Sequence, residues 1–250
     1  MSKVFGISMA KNEEDIIGFV IEHLLQEDLD GIIIADNLSS DNTRSILEDI
    51  AKKNNNITIL DDLEPAYYQS EKMTNLAHYA ATLGAEWIIP FDSDEVWYST
   101  TGKTLGNTLR SMKEDIAVAK VFDHYPHPSE VNDINPIKSI IHKEINPERF
   151  PCVAFRYDES IKISLGNHNV MKNGERNYTD VEIRHFQYRS FEQFKRKLRN
   201  GKQVLDLTTL SEEEGAHWRT MGAMDDESLL SEWQKLLTVG VIIDPAPTKS

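Results

Sequence analysis

The 250-residue chain has a single cysteine, Cys152. An intrachain disulfide is therefore excluded, and a reducing compartment fits. No apolar run approaches the ~20 residues that a membrane-spanning helix needs, so no span is expected. The N-terminus has no signal-peptide core: Glu13, Glu14 and Asp15 follow soon after Met1–Phe5. A cytoplasmic protein is the expectation. Basic residues are in the minority, with 27 Lys and Arg against 41 Asp and Glu, for a formal net charge of -14 and a pI near 5.0. General affinity for nucleic acid or an anionic membrane needs a basic surface, and this balance argues against both. Internal repeats and low-complexity tracts are absent. What is present is a hydrophobic fraction of 40%, enough for a sizeable core.

The first hundred residues alternate between two periodicities. Short apolar runs at Val4–Met9, Gly31–Ala35, Ile57–Leu60 and Trp87–Phe91 read as buried strands. Between them, helices are expected over Glu13–Gln26, Thr43–Lys53 and Glu71–Leu83, with Asp41 capping the second and Gly84 ending the third. Strand–helix alternation implies an α/β fold, with a mostly parallel, Rossmann-like sheet and helices on both faces. Ligands of such sheets bind outside the carboxyl ends of the strands. Asp36 and Asp92 both stand at such ends. From about residue 117 to 185 the pattern is strand-like, with Val118–Phe122, Val153–Tyr157, Ile161–Ser164 and Val181–His185 as strands. Pro126, Pro128, Pro136, Pro147 and Pro151 interrupt the connections. From Ser190 onward the chain reads as helical and then acidic, with its last residues expected to be loosely held. This suggests a catalytic domain over 1–188 and a helical extension over 189–250.

Asp92-Ser93-Asp94 places two carboxylates two residues apart just after a buried strand. They repel unless a cation or solvent screens them. Mn²⁺ or Mg²⁺ takes such oxygen ligands, bridges to phosphate oxygens and acts as a Lewis acid toward a diphosphate leaving group. A solvated acidic turn is the plain alternative. A second chemistry shares the pattern: Asp92-Ser93-Asp94-Glu95-Val96 also matches the nucleophile motif of haloacid-dehalogenase-type phosphatases, where Asp92 would be phosphorylated. That motif usually follows the first strand of its domain, and here two or three α/β units precede it.

Three segments together resemble family 2 glycosyltransferases of the GT-A fold, in particular short bacterial and phage-type relatives. Ile7-Ser8-Met9-Ala10-Lys11-Asn12-Glu13-Glu14 is similar to the family's opening strand and Asn-Glu pair. Ile34 to Thr43, with Asp36, Ser39, Asp41 and Thr43, is similar to its second loop. Asn75 to Asp94, with Ala81, Gly84 and Trp87 between, is similar to its third segment. A softer match runs from His185 to Phe194 through Arg189 and Ser190. The resemblance implies an inverting transfer of sugar from a nucleotide-sugar donor, UDP-linked in the simplest case, to an acceptor hydroxyl. It implies that Ala10, Asn12 and Glu14 line the base and ribose, and that Asp36 accepts a hydrogen bond from the base. Asp92 would face ribose or sugar with Ser93 beside it, and Asp94 would bind the metal. One departure stands out. Many relatives carry Arg where this chain has Thr74, and Lys72 is the candidate substitute as a phosphate contact.

A His from the C-terminal half is expected to complete the ion site, since imidazole suits Mn²⁺ better than Mg²⁺. His185 is assigned to the metal and His168 to the donor-sugar or acceptor pocket, against the ordinary alternative of structural or solvated histidines. His124 and His127 read as loop residues. Seven basic residues lie between Arg184 and Lys202. Arg189 among them is the candidate clamp on the donor pyrophosphate, while most of the lysines read as a solvated face paired with the acidic tail. Candidates for the general base are Asp158, Glu159 and Asp180, with Asp158 and Asp180 preferred. The acceptor class stays open among glycan, small molecule and modified nucleic acid. Two rivals remain: a nucleotidyltransferase, disfavoured because Met9–Glu14 has no glycine for a phosphate loop, and a binding module that has lost its chemistry.

Overall fold

The computed structural model describes residues 1–127 and 134–244. Pro128 and the last residues of the C-terminal extension, 245–250, lie outside them. Chain order begins with β1 (Lys3–Ala10), α1 (Ile17–Leu24), β2 (Gly31–Asp36), α2 (Thr43–Ala51), β3 (Ile57–Asp61), α3 (Gln69–Thr82) and β4 (Ala85–Pro90). It continues with β5 (Glu95–Ser99), α4 (Leu105–Ser111), β6 (Ile116–Asp123), α5 (Pro136–Ser139), β7 (His142–Glu144) and β8 (Cys152–Arg156). Then come β9 (Lys162–Ile163), a 3-10 turn at Leu165–Asn167, β10 (Val170–Met171) and β11 (Arg176–His185). The chain closes with α6 (Phe191–Leu205), α7 (Ala216–Gly222), α8 (Asp226–Leu236) and β12 (Val241–Ile243).

The residues form two compact units. The first holds an eight-stranded sheet in the order β3-β2-β1-β4-β8-β6-β11-β5. The expected strand–helix alternation yields four parallel strands, β3, β2, β1 and β4. Beyond β4 the pairings with β8, between β8 and β6, and between β11 and β5 are antiparallel. Alternation along β1 explains the two faces. Phe5 and Ile7 join Ile33, Ile88 and the α3 residues Met73, Leu76, Ala77 and Ala80 in one core. Val4 and Ala10, with Ile32 and Ile34, turn to the opposite face and are buried there. The helix α1 buries Ile17, Val20, Ile21 and Leu24 at i, i+3, i+4, i+7 spacing and packs against α2 and β5.

That helix starts later than expected, at Ile17 rather than Glu13. The backbone before it is tied to the loop at α2: Glu13 N–H donates to Thr43 Oγ1 at 2.8 Å and Glu14 N–H to Asp41 Oδ2 at 3.3 Å. The first turn is thus claimed by the loop before α2. The N-cap of α2 is Asn42 rather than the expected Asp41, which stands one residue earlier with its Oδ1 accepting from Thr43 N–H at 2.9 Å in an Asx turn. Gly84 ends α3 with φ +91°.

Close approach fixes one glycine in α4. A Cβ on Gly106 would stand 2.1 Å from the Asp28 carbonyl oxygen, which is backbone and cannot swing away. Gly106→Ala is therefore expected to cost about 2–4 kcal/mol, through displacement of α4. Urea denaturation checks this, and a loss below about 0.5 kcal/mol would show that α4 shifts freely.

The second unit takes in Glu64–Tyr68, Asp123–Asn146 and Phe186–Ser250. Beside the expected division at residue 188, the last segment of this unit begins at Phe186, and the unit also draws on two earlier segments. The α6 stripe Phe194 and Leu198 packs with Tyr125, Tyr188, Leu229 and Trp233. Ser190 caps α6 by accepting from Gln193 N–H, and Asp225 caps α8 by accepting from Ser228 N–H. The pair β7–β12 is antiparallel. No helix among the described residues is long and apolar enough to cross a membrane.

Candidate active site

Four strands deliver residues to one edge of the sheet. The strands β1, β2, β3 and β4 run in parallel, and their carboxyl ends carry Ala10, Asp36, Asp61 and, two residues past β4, Asp92. Ala10 pairs in register with Asp36, and its carbonyl accepts from Asn37 N–H at 2.8 Å. Asp36 is buried, and its Oδ1 accepts no hydrogen bond among the described residues. An unsatisfied buried carboxylate oxygen costs stability, so a donor group supplied by a ligand would be strongly favoured there.

The loop beyond Asp36 is tied to the loop beyond β1. Asn12, with φ +57°, accepts from Ser40 N–H at 2.8 Å through Oδ1. Its own N–H donates to Ser39 Oγ at 3.1 Å. Glu14 Oε2 accepts from Asn42 N–H at 3.0 Å and from Asn42 Nδ2 at 2.7 Å. The resemblance placed Asn12 and Glu14 against base and ribose. In the structure Asn12 Oδ1 and Glu14 Oε2 are bonded to the loop, so the two residues also shape the edge around Asp36.

Lys72, the candidate phosphate contact, is held by an ion pair at the same edge. Its Nζ lies 2.6 Å from Asp62 Oδ2, with both side chains mostly buried. Asp62 Oδ2 also accepts from Asn37 Nδ2 at 2.8 Å, and Asn37 O accepts from Lys11 Nζ at 2.9 Å. Lys72 thus belongs to a network beside Asp36. Lys11, unremarked in the sequence, joins the same network. Burial pushes its ammonium below the usual lysine value, and the Lys72 charge adds to that.

The Asp92-Ser93-Asp94 turn is built from within. Ser93 Oγ donates to Met9 O at 3.3 Å, linking the turn to β1. Asp92 N–H donates to Glu95 Oε2 at 3.1 Å, and Trp97 Nε1 donates to the same oxygen at 2.9 Å. Burial pushes the Glu95 carboxyl above its ordinary value, and the neighbouring His185 charge works in the opposite direction. Asp92 Oδ1 accepts from Asn167 Nδ2 at 2.9 Å and from Gln69 Nε2 at 3.4 Å. Asp94 is 2% exposed. The register of β11 on β5 sets His185 opposite Glu95, which brings His185 Nε2 to 3.7 Å from Asp94 Oδ1. One carboxylate oxygen and one imidazole nitrogen form a donor set that suits Mn²⁺. Among the described residues no three His, Cys, Asp or Glu side chains are grouped to hold an ion. An ion here would need further oxygens from a ligand and water.

Around this turn lie Cys152 and His168. Cys152 is buried, 3.6 Å from Glu95 Oε1, and burial pushes its thiol well above the usual value. His168 Nδ1 stands 3.9 Å from Cys152 Sγ, and its ring lies 5.5 Å from that of Phe150. His168 is thus close to the edge that carries Asp94 and His185.

The two preferred base candidates are elsewhere. Asp180 precedes Val181, which pairs with Ser99 at the far end of β5. Five residues of strand separate it from His185, or about 17 Å. Asp158 follows Arg156, which pairs with Trp87 near the start of β4. It therefore lies about 20 Å along the strand direction from Asp92. Asp158 is exposed, and Oδ1 accepts from Ser160 N–H at 2.8 Å, an ordinary turn arrangement. Its neighbour Glu159 is exposed in the same turn.

Arg189 lies in the second unit, buried, with Nη1 donating to Phe186 O at 2.8 Å. The cations of α6 pair largely with acids of that unit. Lys195 and Arg199 reach Asp226 at 3.2 and 2.9 Å, and Lys202 pairs with Asp206. The charge run is thus mainly a paired helix face.

The sequence missed Gln69, Asn167 and Lys11. Asn167 carried the one usable signal, since Gly-Asn between two short strands is a turn in which left-handed backbone is tolerated.

Comparison with known proteins bears on the family and the fold. The family model described as Glycosyl transferase family 2 matches residues 7–202. No curated protein matches the chain by sequence. Among solved structures, mannosyltransferase PcManGT from Pyrobaculum calidifontis, in complex with GDP-Man and Mn²⁺, aligns with a TM-score of 0.51 at 12% identity. That alignment covers 94% of this chain and 73% of the other. S. aureus TarS 1-349 in complex with UDP-GlcNAc aligns with a TM-score of 0.48 at 16% identity, covering 93% and 71%. The GT-A α/β architecture is thereby shown, and with the family match spanning most of its length the chain belongs to glycosyl transferase family 2 and is a glycosyltransferase.

Proposed function

We propose that this enzyme transfers a sugar from a nucleoside-diphosphate donor to an acceptor hydroxyl, with inversion, and that a divalent cation held by Asp94 and His185 assists. The observation that carries the reading is the approach of His185 Nε2 to Asp94 Oδ1 at 3.7 Å, at the sheet edge that also carries Asp36. Support for the donor class comes from the related fold of PcManGT, whose structure holds GDP-Man and Mn²⁺. When bound, the ion would neutralise charge on the departing diphosphate. Asp36 Oδ1 is suited to accept from a base N–H, as uracil N3 offers. Asp92, fixed by Asn167 and Gln69, is suited to accept from a donor hydroxyl. The phosphatase alternative requires Asp92 as an accessible nucleophile, and its Oδ1 already accepts two amide hydrogen bonds.

A thermal-shift titration with UDP, GDP, CDP and ADP, each with and without Mn²⁺, tests the reading. One nucleotide is expected to raise the melting temperature in a metal-dependent way, and Asp94→Ala should lose that shift. No shift with any nucleotide would reject the donor site. A metal-independent shift retained in Asp94→Ala would reject the ion.

A further inference from the structure

The turn at Leu165–Asn167 combines two unfavourable features. Gly166 and Asn167 stand in succession at φ +72° and +57°. Asn167 is also fully buried, and its Oδ1 accepts no hydrogen bond among the described residues. Left-handed backbone and an unsatisfied buried carbonyl both cost stability, and such costs concentrate where a residue is held for a purpose. Among the described residues, the side chain of Asn167 makes one bond, the 2.9 Å donation from Nδ2 to Asp92 Oδ1.

Much else in this region holds the turn in place. Gln69 reaches both partners: its Oε1 accepts from Gly166 N–H at 2.7 Å, and its Nε2 donates to Asp92 Oδ1 at 3.4 Å. Next on α3, Ser70 Oγ donates to Ile163 O at 2.5 Å. Thr74 Oγ1 accepts from Ile163 N–H at 3.0 Å. Thr74, at the position where the family resemblance led us to look for Arg, thus anchors the strand that leads into the turn.

We propose that Asn167 is a positioning residue: the α3 face and Gln69 hold it in a strained turn so that its amide fixes the Asp92 carboxylate for the donor. This rests on the donor reading of the site. With Oδ1 occupied by two amides, rotation of the carboxylate is restricted and its second oxygen keeps one direction. The fold gives up stability at Asn167 for that order.

Asn167→Gly separates positioning from packing. Glycine adopts positive φ freely and removes the unsatisfied carbonyl, which offsets part of the lost donation to Asp92, so the melting temperature should fall by only a few degrees. Deleting a hydrogen bond to a charged group should still weaken donor binding, by about tenfold or more. Calorimetry with Mn²⁺ and the sugar conjugates UDP-glucose, UDP-GlcNAc and GDP-mannose reads this. Asp92→Asn and the double variant complete a cycle. If Asn167 acts through Asp92, the double variant should bind within about twofold of Asp92→Asn alone. Additive losses, or wild-type affinity in Asn167→Gly, would overturn the proposal while leaving the donor site standing. A wild-type protein that binds none of the three conjugates would reject the donor reading itself, and this inference with it.

Discussion

Asp94→Asn is expected to lower sugar transfer by about a hundredfold to a thousandfold at saturating donor, the scale seen when one preorganised charge-stabilising group is lost. The change keeps the side chain's size and removes one charge. Asp94 is 2% exposed, and a buried carboxylate persists only with a compensating partner. The partner in view is His185, at 3.7 Å. A neutral imidazole would not balance the charge, whereas a divalent cation would. Asp92 and Glu95 lie in the same turn, and the Asp94 charge adds to the upward push on the Glu95 carboxyl. Without an ion, Asp94→Asn removes repulsion on the Glu95 carboxyl but also the attraction to the His185 charge, so the unliganded variant should melt close to the wild-type temperature. Loss of activity together with retained stability is the signature to measure, by initial rates and thermal melts on the same preparations. Activity within about tenfold of wild type would remove Asp94 from the metal role. His185→Ala should act in the same direction more weakly, because it removes a ligand without removing charge.

How far the sequence led can be judged element by element. The strands β1 to β4 were legible because each is a short apolar run bounded by polar loops, and β2 is buried at all six positions. Asp36 and Asp92 were legible as candidates through those strands: once the sheet is parallel, its carboxyl edge is where ligands of such sheets bind. His185 was legible only through the family pattern, since its place depends on the antiparallel register of β11 on β5, and no periodicity encodes a pairing between residues 95 and 185. The same dependence hid where Asp158 and Asp180 fall. Asp158 follows β8 and Asp180 lies within β11, and strand direction in the sheet decides how far each stands from the Asp36 edge. The strand β5 itself went unread because Glu95 and Val96 were taken with the Asp92-Ser93-Asp94 motif. Gln69 and Asn167 lie 23 and 75 residues from the Asp92 they hold. Such amide contacts leave no local pattern, so only coordinates reveal them.

Trp97 joins that unread strand to the site, and Trp97→Ala is expected to be the most destabilising of the substitutions considered, at about 3–5 kcal/mol. The side chain is fully buried on β5, opposite Ile183 of β11. Its truncation leaves a cavity in a region where both strands are already ordered, so collapse is limited. A second effect follows from the indole N–H. Glu95 Oε2 accepts from Trp97 Nε1 at 2.9 Å and from Asp92 N–H at 3.1 Å. Without the indole, a buried carboxyl loses one of its donors, at a cost of about 1–3 kcal/mol. Trp97→Phe keeps most of the volume and isolates that second cost, so it should fall between wild type and Trp97→Ala. Urea denaturation with unchanged m-values measures both. Because the carboxyl that loses its indole partner also holds the Asp92 backbone, Trp97→Phe should weaken metal-dependent nucleotide binding more than its stability loss alone would suggest. Equal stability of Trp97→Phe and wild type, with unaltered nucleotide affinity, would show that Glu95 holds the turn without the indole.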